Sequence, residues 1–474
     1  MKVKSLLGLM PLLAPTCAEL VRLPQSISDN PQLGEVNIPR RDNAQHKTSW
    51  PYGPFSTKGR DIINSRGDVI QWAGVNWPAH LETMIPEGLE FKSAADILDD
   101  MAGIGFNFIR LTYAVEMIDQ IYERDGMDVP LEQAMLEGLG QVNGSKVTNE
   151  IVARNPSWTP KTTRFQIWSD IARLALQKGI FIHPDTQMST AEWCCSHTDG
   201  NGWFDDVDFD VSRWHRGMAY MATWAKGHPN VVSMSLHNEL RESWNRTNLY
   251  YDWMTLVGNM SAGADTIHKA NPDLLITWSG MQYDQDLSAL TTRKNLLTAP
   301  CYKCTAIRDA HRRSPVYFDL DSYPWANKIV WELHLYDMSE DIDTGTCPII
   351  EAAFYRNGFN ALGIPPPADG CRLTGDCPPA QRLTPVILSE FGNAQDASLF
   401  NATLQDCIRT FTKAHHISWA MWAYAGSYRV RSGAQGVTDT WGLTNADWSG
   451  WNYPEGIQKF WKPWVKSMKP TKYT

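Results

Sequence analysis

The sequence predicts an α/β chain folded as one (β/α)8 TIM barrel with long loop insertions and a short N-terminal hairpin. Three observations carry this expectation. Runs that read as short buried strands recur eight times, amphipathic helical stretches lie between them, and neither a Ser/Thr/Pro-rich linker nor a short internal repeat divides the chain.

In chain order, Phe55 to Gly67 comes first. Its turn signal Asn64-Ser65-Arg66-Gly67 predicts a hairpin that closes the barrel floor. The strands are expected at Ile70 to Asn76, Phe106 to Tyr113, Gly179 to Asp185, Val231 to Asn238, Leu274 to Ser279, Ile329 to Tyr336, Pro385 to Phe391 and Ile417 to Tyr424. Helical spacing is clear at Ala94, Ile97, Leu98 and Met101, at Trp214, Met218, Met221 and Ala225, and at Trp253, Val257, Met260, Ala264 and Ile267. Asn271-Pro272 ends the third of these, and a further helix is expected near Leu399 to His415. Insertions at about Ala114 to Thr163, Met281 to Asn327 and Asp337 to Leu383 account for the excess over the roughly 250 residues of a minimal barrel.

The N-terminus reads as a secretory leader, residues 1–18. Lys2 and Lys4 precede a short apolar run, and Thr16-Cys17-Ala18 offers small residues for cleavage. An irregular segment, 19–54, and a single catalytic domain, 55–474, follow. The chain has 474 residues with 43 basic against 52 acidic side chains, a net charge of −9 that becomes −11 once the two leader lysines are removed. This acidic balance argues against a nucleic-acid partner. No later apolar run is long enough to span a membrane. The expected protein is therefore secreted, extracellular and monomeric. Tryptophan is unusually abundant, 21 against 16 Tyr and 15 Phe. Core packing explains most of these, and the flat faces of sugars are one ligand class that uses the rest.

Removing Cys17 leaves eight cysteines, an even set that favours disulfides in a secreted chain. Cys301 and Cys304 have metal-like spacing, but no second such pair follows, so a disulfide role is expected and no metal. The adjacent Cys194 and Cys195 are expected to bridge to two different partners. Sequons at Asn143, Asn245, Asn259 and Asn401 fit an N-glycosylated protein.

In a parallel barrel the strand ends converge on one face. The fourth strand ends in Leu236-His237-Asn238-Glu239 and the seventh in Leu388-Ser389-Glu390-Phe391-Gly392, which brings two carboxylates to that face. Arg110 closes the second strand, His334 and Tyr336 the sixth, and Trp422 the eighth. A lone glutamate at a strand end is commonly a surface residue. Two, with Asn238, Arg110 and Tyr336 in phase, suit glycosidic bond cleavage, in which one carboxyl donates a proton to the leaving oxygen while the other attacks the anomeric carbon or activates water.

The ordered set resembles glycoside hydrolase family 5, the cellulase-like enzymes of clan A. The matching pieces are Gly74-Val75-Asn76-Trp77, Phe108-Ile109-Arg110-Leu111, His237-Asn238-Glu239, His334-Leu335-Tyr336 and Ser389-Glu390-Phe391-Gly392. The segment Glu192-Trp193-Cys194-Cys195-Ser196 and the run Val75 to Glu82 resemble a plant and fungal subgroup. The resemblance implies Glu239 as acid/base and Glu390 as nucleophile. It further implies that Asn238 bonds the 2-hydroxyl, that Arg110 keeps Glu390 ionised, that Tyr336 touches the nucleophile, that His334 lines the site and that Trp422 stacks under the sugar. His80 is a candidate for meeting substrate hydroxyls, with a satisfied core histidine as its other reading. Gln187 stands where the family usually has histidine, while His183 is out of register and Asp185 reads as a supporting group.

The expected function is a secreted retaining β-glycosidase, endo-β-1,4-glucanase-like, that needs no cofactor and acts on an oligo- or polysaccharide. An exo-acting β-glycosidase, a wall transglycosylase and a non-hydrolytic carbohydrate-binding barrel are the alternatives. Trp203, Trp441, Trp448 and Trp451 are candidate sugar platforms. Arg429 and Arg431, just past the eighth strand, are expected to be solvated or to face the cleft.

Overall fold

The computed structural model describes residues 49–301, 304, 307, 309–336 and 346–468. The expected leader with Cys17, and most of segment 19–54, lie outside them.

A small antiparallel sheet comes first, made of β1 (Ser56–Lys58), β2 (Asp61–Ile63) and β3 (Val69–Ile70). The expected hairpin is present and gains a third strand, so Ile70 belongs to the floor and not to the barrel wall. The wall is β4 (Ala73–Trp77), β5 (Phe108–Ala114), β6 (Phe181–Met188), β7 (Ser233–Ser235), β8 (Leu275–Ser279), β9 (Ile329–Leu335), β10 (Val386–Phe391) and β11 (Ser418–Met421). These pair in parallel in the order β6-β5-β4-β11-β10-β9-β8-β7. The ring closes between β6 and β7 through the parallel bridge Ile182↔Val231, and the Asn238 N–H donates to Thr186 O at 2.9 Å. An antiparallel pair, β12 (Ser427–Arg431) and β13 (Ala434–Thr438), follows the barrel.

The wall strands are buried along their whole length, as parallel strands covered by helices must be. The lowest layer inside the barrel is Phe108, Phe181, Val232, Leu275, Val330, Ile387 and Ala420, and Phe55, Ile62, Ile70 and Trp72 close it from below. The polar residues of β5, β6 and β9 fall at alternate positions, Arg110 and Thr112, His183, Asp185 and Gln187, Glu332 and His334. A period of two places each set on one face of its strand.

The covering helices match the stripes read from sequence. Ala94–Ile104 buries Ala94, Ile97, Leu98 and Met101, is capped by Ser93 and ends at left-handed Gly105. Val211–Ala225 starts from Asp210, and Trp253–Ala270 from Asp252. In the latter Leu256 is buried, and Val257 sits only at the edge of the stripe. The last of these helices is Thr403–His415. The first insertion is mostly helical, with Glu116–Glu123 and Leu131–Arg154, the latter broken at Gly140 where φ is 79°.

Thirteen of the 21 tryptophans are at most 1% exposed, so the indole excess is chiefly core. Trp203 and Trp448, expected as platforms, are among them. The ring of Trp448 lies against Gly88, where an added Cβ would come within 2.4 Å of it. The disulfides are Cys194–Cys195, Cys301–Cys304, Cys347–Cys407 and Cys371–Cys377. Cys194 and Cys195 therefore bond to each other and not to separate partners, because their adjacent sulfurs are turned together in the loop after β6. Among the described residues, no helix is long and apolar enough to cross a membrane.

Candidate active site

Glu390 lies on β10 just past a register shift against β9, between Leu388 and Glu390. The extra residue bends the strand and re-aims the side chains that follow. Arg110 Nη1 donates to Glu390 Oε1 at 2.5 Å, and the Tyr336 hydroxyl donates to Oε2 at 2.9 Å. Burial and the negative charge of Glu390 together push the Tyr336 hydroxyl well above the usual phenol range, so it stays a donor. Gly392 follows because a Cβ there would come within 2.6 Å of the Trp422 carbonyl.

Arg110 is fully buried and holds several elements together. Its guanidinium meets Asp185 at 2.8 Å and Glu332 at 3.2 Å, and it donates to Asn76 Oδ1 at 3.0 Å and Asn238 Oδ1 at 2.8 Å. Burial alone would lower its pKa, but the charges of Asp185, Glu390 and Glu332 outweigh it and raise it. One cation cannot satisfy every carboxylate around it equally. Burial pushes Asp185 up to about 7 against the opposing pull of Arg110, whereas Arg110 and His334 hold Glu332 below its ordinary range in spite of burial.

Glu239 ends the segment after β7 in a left-handed conformation, φ 44°. Its N–H donates to Asp284 Oδ2 at 2.8 Å. Asp284 closes a run of three left-handed residues, Gln282, Tyr283 and Asp284, with φ of 55°, 59° and 59°. Each such non-glycine residue costs on the order of 1–3 kcal/mol, and strain of this kind collects at functional sites. His334 sits between the two glutamates, with Nδ1 3.0 Å from Glu239 Oε1 and 3.7 Å from Glu390 Oε2. Its Nε2 is 3.8 Å from both Asp284 and Glu332. Burial opposes its charge, yet Glu390, Glu239, Glu332 and Asp284 raise its pKa well above that of a free imidazole. A carboxylate oxygen of Glu239 and one of Glu390 lie within 4.8 Å of each other, with a nitrogen of His334 inside the same limit.

Asn238 gives its oxygen to Arg110 and turns its Nδ2 toward the Cys194–Cys195 disulfide, 3.7 Å from Cys195 Sγ. Gln187 accepts from Arg110 at 3.4 Å, and its Nε2 lies 3.6 Å from Cys194 Sγ. Trp422 is 8% exposed and meets Trp193 edge-on at 6.2 Å. Trp441, half-buried, tilts over Tyr336 at 5.6 Å. His80 is buried, with Nδ1 bonded to Thr112 Oγ1 at 2.8 Å, and burial followed by the charge of Arg110 lowers its pKa to about 3. That is the satisfied core histidine, and His183 is another, bonded to Ser233 at 2.8 Å.

Arg429 corrects the expectation of a solvated role. It is 4% exposed and donates to Glu90 Oε2 at 2.6 Å and to the carbonyls of Ile85 and Pro86 at 2.9 Å. The loop after β4 folds over it and removes water. Arg431 instead stacks on Trp193, 3.8 Å from the ring centroid. Sequence reasoning missed Asn76, Asp284 and Glu332 as site residues. Glu332 was findable, since it lies two residues before His334 on the same face of a strand.

Among the described residues, three clusters bring possible metal ligands within 4.8 Å. In the first, Cys194, Cys195 and Glu239, both sulfurs are spent in a disulfide. In the second, His183, Asp185 and Glu332, the guanidinium of Arg110 already bridges the two carboxylates. The third is Glu239, His334 and Glu390 itself.

No family model matches the chain. Over 427 residues it is 30% identical to a glycosyl hydrolase 5 family protein of Chamaecyparis obtusa, a match that covers 86% of this chain and 65% of that protein. The chain thus spans about two thirds of the length of that relative. It is 25% identical over 417 residues to an endoglucanase of Paenibacillus polymyxa, covering 85% of each. Many solved structures share its fold, and two serve as examples. They are an endocellulase of Pyrococcus horikoshii crystallised with cellotetraose, with TM-score 0.58 and 17% identity over 87% of this chain and 98% of that one, and the catalytic domain of the major endoglucanase of Xanthomonas campestris pv. campestris, with TM-score 0.57 and 17% identity over 87% and 99%. The resemblance of this chain to glycoside hydrolase family 5, of the cellulase-like kind, therefore holds in sequence as well as in fold.

Proposed function

We propose that this protein is a retaining glycoside hydrolase that cleaves β-glycosidic bonds by double displacement, with an endo-β-1,4-glucanase-like preference. The observation that carries the reading is the approach of the Glu239 and Glu390 carboxylates to within 4.8 Å. Inverting pairs stand about 6.5–9.5 Å apart to admit a water, whereas retaining pairs stand about 5–5.5 Å apart.

Glu390 is the nucleophile. It attacks the anomeric carbon, the bond from that carbon to the leaving oxygen breaks, and Glu239 gives its proton to that oxygen. Arg110 and Tyr336 each hold one oxygen of Glu390 and so fix the orientation of its carboxylate. Glycosylation removes the negative charge of Glu390, and Glu239 then takes a proton from the water that attacks the same carbon. Asn238 offers its amide N–H to the 2-hydroxyl, where contacts strengthen as charge builds on the ring. Gln187 is a neutral donor where the family usually places histidine. The substrate preference rests on the endoglucanase relative and on the cellotetraose bound by the structural neighbour. Secretion and an extracellular location are part of the proposal and rest on the leader-like residues 1–18 and the paired cysteines; a monomeric state is proposed with them.

The test combines mutation with trapping. Glu390→Ala and Glu239→Gln are expected to lower turnover on cellulosic oligosaccharides by several orders of magnitude with folding retained, because both groups act in the reaction. A 2-deoxy-2-fluoro glycoside should label Glu390, as read by peptide mass. Near-wild-type turnover in either variant, or a label elsewhere, overturns the assignment. Product analysis with added acceptor separates hydrolysis from transglycosylation.

A further inference from the structure

We propose that the Cys194–Cys195 disulfide is a substrate-contacting wall of the cleavage subsite, packed against the neutral sugar ring on which Glu390 acts. The inference rests on the glycosidase reading above and deepens it.

A bridge between neighbours cannot be a staple. The stabilisation a disulfide gives through the unfolded chain grows with the loop it closes, and here no loop is closed. Cys347–Cys407 spans 60 positions and ties the helix Cys347–Asn357 to the helix Thr403–His415, which is the usual structural role. The reason for joining Cys194 to Cys195 must therefore be local.

Its surroundings say what that reason is. Both sulfurs and a carboxylate oxygen of Glu239 lie within 4.8 Å of one another, and both cysteines are half-buried. Two amide donors aim at the pair, Asn238 Nδ2 at 3.9 and 3.7 Å and Gln187 Nε2 at 3.6 Å. Sulfur is a weak acceptor, so these N–H groups remain available to the stronger oxygen acceptors of a sugar. A ring whose leaving oxygen meets Glu239 and whose 2-hydroxyl meets Asn238 has no route past the sulfurs except in van der Waals contact with them. The disulfide is uncharged and polarisable, suited to the C–H face of a pyranose. Trp193, the preceding residue, is held in place by Tyr428 edge-on at 5.0 Å and by Arg431 stacked at 3.8 Å.

Occupancy of the subsite tests this directly. The native protein, free or trapped on Glu390 by a 2-deoxy-2-fluoro glycoside, is treated with a phosphine reductant and iodoacetamide, and alkylation is read peptide by peptide. Labelling at Cys194 and Cys195 should fall at least about tenfold in the trapped form, with Cys371 and Cys377 unchanged. Equal labelling in both forms overturns the wall. Failure to trap at Glu390 indicts the glycosidase reading itself. Independently, the Cys194→Ala/Cys195→Ala double variant should keep the wild-type Tm and lose about tenfold in kcat/KM, mainly through KM. Unchanged kinetics in a folded double variant also overturn it.

Discussion

Glu239 owes its position to backbone as much as to side chain. Its left-handed φ turns the carboxylate toward Glu390, and the one acceptor for its N–H is Asp284, which reaches it only because three consecutive residues accept the left-handed region. Burial pushes Asp284 well above the ordinary carboxylate range, against the opposing charge of His334. Asp284→Ala leaves a buried N–H without its partner, a cost of about 1–3 kcal/mol. If that cost falls on the geometry of the acid, kcat/KM drops about 10–100-fold, most for substrates with poor leaving groups. Asp284→Asn keeps an oxygen acceptor and should recover most of the loss. An alanine variant with equal losses on good and poor leaving groups would show that Asp284 does not act through Glu239. At this scale the sequence revealed the residues that end strands, because strand ends have a fixed destination. Asp284 follows its strand through a turn whose left-handed residues are not themselves glycines, and no pattern announces that.

Between residues and barrel lies the hairpin of β12 and β13, tied to the loop after β4 by Arg429. Burial pushes Glu87 up to about 8 against the pull of Arg429, while a single oxygen of Glu90, Oε2, accepts from both Nε at 3.1 Å and Nη2 at 2.6 Å. Removing only the cation strands acidic groups in the core. Arg429→Met is expected to cost about 3–5 kcal/mol, the range for breaking one side of a buried pair. Urea unfolding measures it, and a loss under 1 kcal/mol would mean that water reaches this cluster. The sequence could not show this burial, since Arg429 follows a strand end exactly as a surface arginine would. The first insertion tells the same story at larger size: helical stretches were hidden because Gly140 breaks their period.

The whole barrel buries histidines that refuse a proton. Burial, then the charge of Arg110, lowers His80 to about 3, while its unfolded value is about 6.5. Above about pH 6.5 the residue is neutral in both states. As pH falls toward 3 the unfolded chain binds a proton that the folded one does not, so stability drains away in that window. His80→Asn keeps a polar partner for Thr112 and removes the linkage, and it should reduce the slope of unfolding free energy against pH between 6 and 4 by up to about 1.4 kcal/mol per pH unit. Parallel slopes in variant and wild type would show that His80 titrates alike in both states. Eight apolar runs with helical stripes between them determined the barrel from sequence alone, because strand and helix periods are local properties written in neighbouring residues. Those same runs placed Glu239, Glu390, Arg110 and Tyr336 at one face. The tertiary structure alone decided which cysteines pair, which arginine is buried, which tryptophans are core and what holds Glu239 from behind. Apart from the three disulfides that join near neighbours, each of these depends on contacts between residues far apart in the chain, and such contacts leave no periodic trace in the order of amino acids.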